Sequence, residues 1–427
     1  FILQLIIFLN FSNGCNYDSI LENEKEAEKA FYEGDYLKSY IYYLDILKKK
    51  KSLKNIKSED IAKTYFNLST TCLLLFDYCN SLKFLELAEN IYKRDTIFRD
   101  NLISIYILKG IIYYNKGDYK RAELILKYAI NLLEKSYKKD NDYKIKKIKA
   151  YNAIASVYFE MKDYKSSFEF YKKAERIVKI IEDFEMLIAI KGNIASVLTK
   201  MNKIDLSNQY YEDAVDLILK FRELNFVHFM IFKNYLIFLI QSNNISKAKS
   251  MIEILLNKYQ NNKNFYFDYF INIFYGNLYF NSSNKIDSSI YFFNKALNFY
   301  KSNFSNLIDI NYLILLEDLE KLYYKKFLQT KDINTLKKSY NLNKEIIEII
   351  EKLKIGFLTQ ESRLFLIENE YKIYINAIEV LMKLAEYTNN QKYYEEALNI
   401  AEKIKGSILY RMIKDNEAKI KGNIPDS

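Results

Sequence analysis

The stretch SIYILKGIIYYNKGDYKRAELILKYAINLL, from Ser104 to Leu133, reads as two helices joined by a tight turn. The first is apolar and carries Gly110 seven residues before Gly117. The second opens at Tyr119 and places Ala122 and Ala129 on one helical face. The same grammar recurs along the chain. With Gly117 as the turn marker, equivalent residues are Gly34, Phe76, Lys162, Asn202, Asn243 and Asn284, and the successive spacings are 42, 41, 45, 40, 41 and 41. A period in this range is the signature of a helical-repeat array.

The correspondence holds position by position. Five residues after each marker stand Ser39, Ser81, Ala122, Ser167, Ser207, Ala248 and Ser289, all small. Nine after stand Tyr43, Leu85, Leu126, Tyr171, Tyr211, Ile252 and Phe293. Twelve after stand Ile46, Ala88, Ala129, Ala174, Ala214, Leu255 and Ala296, and two after come the large residues Tyr36, Tyr78, Tyr119, Tyr164, Ile204, Ile245 and Ile286. Offsets of 2, 5, 9 and 12 fall on one face of a helix, so small residues admit a close partner helix and large ones fill the space beside them.

Gly34–Ser39 and Gly117–Ala122 both spell G-D-Y-x-x-[AS], and Ala129 follows seven residues after Ala122. In this the chain resembles the tetratricopeptide repeat (TPR) family. The resemblance implies an all-α, right-handed α-solenoid of about seven TPR-like helix pairs plus longer C-terminal helices, serving as a protein- or peptide-binding scaffold. Repeats five to seven depart from the pattern, with Asn-Lys-Ile or Asn-Asn-Ile in place of Gly-Asp-Tyr. The period of ~41 also exceeds the 34 residues of the standard unit, so each helix is expected to be about a turn longer.

Composition agrees, because one proline and nine glycines in 427 residues leave almost no helix breakers. The net charge of +10 reads as a solvated lysine-rich surface concentrated in loops such as Lys48–Lys51 and Lys138–Lys147. No aromatic–basic ladder accompanies it, so no nucleic-acid partner is expected.

Phe1–Phe11, FILQLIIFLNF, is apolar and too short to span a bilayer, and it fits the apolar region of a secretory signal. Ser12-Asn13-Gly14-Cys15 follows and resembles a bacterial lipoprotein box, with Ser12 where an aliphatic residue is usual. That resemblance implies lipidation of Cys15, a membrane tether and a place in the cell envelope; a cytoplasmic chain is the alternative. The expected divisions are 1–15 as the signal-like segment, 16–304 as the solenoid, 305–415 as C-terminal TPR-like helices, and 416–427 as a linker.

In TPR relatives the first helix of each pair lines the ligand face. On this chain those faces should carry Asn67 and Thr70, Asn152 and Ser156, Asn193 and Ser196, then Lys233 and Asn234. An asparagine amide offers both a donor and an acceptor, so such a ladder can hold an extended peptide backbone without reading its sequence. A carboxylate clamp would need repeated cations, and only Lys63, Lys149 and Lys233 fall on this face.

No catalytic constellation emerges, and no cofactor or metal is expected. His228 is the only histidine and reads as a packing residue. Cys72 and Cys79 read as small buried hydrophobes without metal-ligand spacing. No Gly-rich phosphate loop or HExxH is present.

After Ser305 the rhythm changes to four longer helices, expected at Ile308–Phe327, Thr335–Ile355, Gln360–Thr388 and Lys392–Lys414, with Thr359 as an N-cap. Glu402, Lys405, Leu409 and the closing Ile424-Pro425-Asp426-Ser427 resemble the junction of CHAT-domain proteins, caspase-like peptidases preceded by TPR arrays. Gly406 departs from that pattern. The resemblance implies a sensor array acting on a caspase-like domain in cis, whose His/Cys pair would lie outside these residues. The alternatives are a free-standing envelope lipoprotein scaffold and the TPR sensor region of a bacterial signalling protein.

Overall fold

The computed structural model describes residues 17–32, 35–53, 55–75, 77–136, 140–259, 267–280, 285–303, 310–355 and 360–405, and among them every regular element is helical. Two compact units divide the chain: Phe1–Tyr113 with Leu124–Glu134, and Tyr114–Glu123 with Lys135–Ser427. The helices in order are α1 (Tyr17–Tyr32), α2 (Tyr36–Ser52), α3 (Ser58–Leu74), α4 (Tyr78–Tyr92), α5 (Arg99–Asn115) and α6 (Tyr119–Glu134). Then come α7 (Asn141–Glu160), α8 (Tyr164–Ile181), α9 (Phe184–Lys200), α10 (Ile204–Ile218), α11 (Phe226–Gln241) and α12 (Ile245–Tyr259). Last are α13 (Phe267–Phe280), α14 (Ile286–Asn303), α15 (Ile310–Thr330), α16 (Ile333–Ile355), α17 (Gln360–Thr388) and α18 (391–405). The expected all-α repeat architecture is the one observed.

The turn marker has a physical meaning. Between α7 and α8, Asp163 N–H donates to Tyr158 O at 2.9 Å and Lys162 N–H to Phe159 O at 3.0 Å. These are the two bonds of a Schellman turn, and Lys162 occupies its left-handed position with φ 62°. Asn202, Asn243 and Gly117 stand there too, with φ of 58°, 59° and 75°. Glycine adopts this conformation freely, asparagine tolerates it, and lysine takes it at a cost. The next residue caps the following helix: Asp163 accepts from Ser166 N at 3.1 Å, and Asp35 and Asp77 accept likewise from Lys38 and Asn80. Gly-Asp-Tyr is therefore a C-cap, an N-cap and a first helical residue in succession. Where Lys203 replaces the aspartate, α10 begins without a side-chain cap. Lys331 and Asn389, after α15 and α17, are left-handed as well, with φ of 57° and 51°.

The seven small residues after the markers are all fully buried, each at 0% exposure. At every serine of the set but Ser39, the hydroxyl finds a backbone partner on the paired helix. Ser81 Oγ donates to Ser69 O (2.7 Å), Ser167 to Ala155 O, Ser207 to Ala195 O and Ser289 to Gly276 O (2.8 Å each). The residues nine and twelve after the marker are buried as well. Gly276 shows how tight the approach is, because a Cβ there would lie 2.5 Å from the Phe293 ring.

Each unit has its own core. Ile46, Leu68, Leu85 and Ile112 centre the first. Phe229, Phe232, Phe274, Phe293 and Leu316 centre the second. Neither Cys72 nor Cys79 is in a disulfide; Cys72 is buried, and Cys79 is only half-buried because it sits in the first turn of α4. Lys48–Lys51 occupy the last turns of α2, not a loop; cations suit a helix C-terminus, and buried Lys50 pairs with Glu24 at 2.7 Å.

In the C-terminal helices, the loop expected at Gln329–Asn334 contracts to Lys331 and Asp332. Ile373, Val380, Leu381 and Leu384 are buried, but Ile375 is 40% exposed, because two residues of helix turn it away from that face. Phe1–Asn16, Thr359 and 406–427 lie outside the described residues.

Two substitutions test this packing. Lys162→Gly should raise stability by about 0.5–1 kcal/mol by relieving the left-handed lysine, whereas Ala174→Leu should lower it by about 1–3 kcal/mol through overpacking. Urea denaturation followed by helical circular dichroism measures both.

Candidate functional site

In the second unit, α7, α9 and α11 line a groove of about 390 Å3. Ser156 comes from α7, Asn193 and Ser196 from α9, and Asn234 from α11. They converge because spacings of 40 and 41 residues return each one to the same helical face. Asn152 joins them, since Asn193 Nδ2 donates to Asn152 Oδ1 at 3.1 Å. The other expected residues stand apart from this groove. Asn67 and Thr70 are half-buried on α3 in the first unit, where Thr70 Oγ1 donates to Phe66 O of its own helix at 3.1 Å. Lys233 is half-buried on α11 and does not line the groove; burial pushes the Asp318 carboxyl up to about 6 against the opposing charges of Lys321 and Lys233. Lys63 lines a different cavity of about 530 Å3 in the first unit, together with Glu59 and Asp60.

Two residues that read as core filler form the floor. Tyr171 and Tyr211, nine after their markers, reach between the first helices. The Tyr171 phenol meets Ser156 Oγ at 2.8 Å, and Ser156 Oγ donates on to Asn152 O. Tyr211 repeats this with Ser196 at 3.0 Å, and Ser196 donates to Gly192 O. Burial pushes both phenols up to about 12, so they stay protonated donors. Tyr114, Phe159, Ile237 and Phe238 supply apolar surface. The charged lining residues are Glu160 and Lys200; burial raises the Glu160 carboxyl, and Lys200 offsets this only in part. The groove thus offers amides and hydroxyls along its length, apolar rings and one charge of each sign.

His228 has a structural role that its sequence position did not disclose. It is the third residue of α11, fully buried, and forms a capping box with Asn225. Asn225 N–H donates to His228 Nδ1 at 3.3 Å, so the proton sits on Nε2 and is donated to Glu185 Oε2 at 3.0 Å. Nδ1 thus caps α11 itself, and Nε2 ties it to α9. Among the described residues no group of three potential metal ligands comes together, and no helix is long and apolar enough to cross a membrane.

The fold and groove define a helical-repeat binding scaffold. Residues 148–177, spanning the end of α7 and most of α8, match the tetratricopeptide repeat family model. A Rap protein solved in complex with Competence and Sporulation Factor is 13% identical, with a TM-score of 0.51 over 91% of this chain and 99% of that one. The apo form of RapI is 12% identical, with a TM-score of 0.51 over 86% and 98%. A plasmid Rap conjugation gene regulator in complex with the Phr* peptide is 16% identical, with a TM-score of 0.50 over 81% and 80%. No curated protein matches the chain in sequence. At these identities the likeness is one of fold, and that fold is a TPR array.

The His228 ring supplies a pH prediction. Burial lowers its pKa, and the facing Glu185 opposes the shift without overcoming it. Below the unfolded value of about 6.5, the unfolded chain binds a proton that the folded chain resists, so stability should fall as pH drops from about 7.5 to 5.5. Protonation would also place a hydrogen between Nδ1 and the Asn225 N–H. Urea midpoints across that range should show a decline that flattens in His228→Gln and steepens in Glu185→Gln.

Proposed function

We propose that the chain is a peptide-binding TPR scaffold whose ligand lies extended along the groove of α7, α9 and α11. The observation that carries this reading is the row of Ser156, Asn193, Ser196 and Asn234, one polar set per repeat, lining a single groove. An extended backbone presents N–H and C=O groups in alternation, and amides can answer both. The fold relatives solved with Competence and Sporulation Factor and with the Phr* peptide support a peptide occupant.

Two finer readings rest on sequence resemblance alone. One is a sensor array regulating a caspase-like CHAT domain in cis. Its junction residues Glu402 and Lys405 lie in α18, and the remainder falls outside the described residues. The other is an envelope tether through lipidated Cys15, which also falls outside them. The likeness to a Rap regulator favours a sensing array, whether of a peptidase or of another signalling protein, over a free-standing scaffold.

The test uses the full chain and an arrayed library of heptapeptides. A selected binder should lose about tenfold or more in affinity when Asn193 and Asn234 are both changed to alanine, since each lost hydrogen bond is worth about 0.5–1.5 kcal/mol. Calorimetry measures the loss, with circular dichroism checking the fold. Unchanged affinity in a folded double variant would remove the groove from the mechanism.

A further inference from the structure

The second helices of the first unit carry an outward face unlike that of the helices that follow them. Positions seven and eleven past each turn marker lie two residues, about 200° of helix, from the buried positions five and nine, so they point away from the paired helix. In α8 and α10 they hold Glu169, Lys173, Gln209 and Asp213, all exposed. Packing therefore sets no apolar requirement there. In the first unit the same positions hold Ile41 on α2, Lys83 and Leu87 on α4, and Leu124 and Tyr128 on α6, with Leu37 one turn before Ile41. Leu124 is 68% exposed and Tyr128 53%, and Leu37, Ile41 and Leu87 are exposed as well. The remaining position is Asp45, which is half-buried and pairs with Lys49 at 2.9 Å.

Lysines are set among these apolar residues. Lys38 adjoins Leu37, Lys83 precedes Leu87 by one turn, Lys127 adjoins Tyr128, and Lys48 lies two turns beyond Ile41; all four are exposed. Lys38, Lys48 and Lys83 form no ion pair among the described residues. The exposed acids of α2, α4 and Leu124–Glu134 are Glu86 and Glu134. Single surface leucines are ordinary, but a row of them along three successive second helices is the kind of patch that marks an interaction site.

We propose that this face of α2, α4 and α6 docks on an anionic membrane surface. Leucine and isoleucine side chains would enter the acyl boundary, and the Tyr128 ring would rest at headgroup level. The lysine stems would lie along the same apolar layer while their ammonium groups reach lipid phosphates. A nucleic acid answers the lysines and leaves the leucines in water, whereas a neutral apolar protein face buries the leucines and strands the lysines. An anionic lipid surface serves both. The contact is peripheral, and it depends neither on the peptide groove nor on lipidation of Cys15.

The chain contains no tryptophan, so Leu124→Trp in the full chain installs a single reporter on the face. Its emission should shift to the blue with vesicles of phosphatidylcholine and phosphatidylglycerol, and brominated acyl chains should quench it. Gln209→Trp, on the polar face of α10, should report no change. The combined variant Ile41→Gln, Leu87→Gln, Leu124→Gln should weaken co-sedimentation with these vesicles by about tenfold or more, and so should Lys38→Gln, Lys83→Gln, Lys127→Gln. The lysine variant should also lose most of the salt dependence. All six side chains are exposed, so the fold should persist, and circular dichroism checks it. An unshifted Leu124→Trp reporter would overturn the proposal even if the chain sediments with vesicles, because another segment would then hold the membrane. An equal shift with phosphatidylcholine alone removes the anionic requirement and overturns it as well. So does binding to duplex DNA in place of vesicles.

Discussion

The structure depends on how closely the two helices of each pair approach, and a single buried side chain sets that distance. A serine or alanine five residues past the turn leaves room for the partner backbone. Serine adds a constraint that alanine lacks. Its hydroxyl must be desolvated, and burying it alone would cost about 1–3 kcal/mol. Ser81, Ser167, Ser207 and Ser289 avoid that cost by donating to carbonyls on the paired helix. Those carbonyls have a second lone pair free while serving their own helix. Among the described residues Ser39 Oγ is the buried side-chain polar atom left without a partner, so the first pair holds the spacing without the bond.

That close approach also shapes the groove. Once the second helix is drawn in, the residue four positions further along it projects between neighbouring first helices. In α8 and α10 this residue is tyrosine, and its hydroxyl emerges at the floor against Ser156 or Ser196. In α4, α12 and α14 the same position holds Leu85, Ile252 and Phe293, which seal the gap and bring no polar group through. Tyr43 of α2 holds the same position in the first unit, so it is the pairing of Tyr171 and Tyr211 with Ser156 and Ser196 of the neighbouring first helices that makes the floor polar. Core packing and ligand chemistry share the same residues there.

Much of this was legible in the sequence, and the gaps have physical reasons. Small residues every forty-odd positions disclosed the helix pairs because burial at close contact tolerates few alternatives. Ser156, Asn193, Ser196 and Asn234 could be placed on one face because helical geometry is regular. Lys162 disguised a left-handed turn position that Gly117 announces plainly. Tyr171 and Tyr211 read as bulk, since whether a phenol stops in the core or passes through it depends on the neighbouring helix.

The groove's two kinds of polar group do different work. The Asn193–Asn152 bond uses one Asn193 amide hydrogen and the Asn152 oxygen, leaving groove-lining Asn193 its carbonyl oxygen and a second amide hydrogen, so it can answer either group of a peptide backbone. Neutral amides of this kind change little in energy with the ligand's sequence, because every peptide carries the same backbone. A charge behaves otherwise. Without a counter-ion it is left poorly solvated by a mismatched ligand, and that penalty exceeds what one neutral hydrogen bond returns. Amide ladders therefore suit affinity, and an isolated carboxylate suits discrimination. In a groove with one carboxylate and one ammonium, most of the selectivity has to come from those two groups.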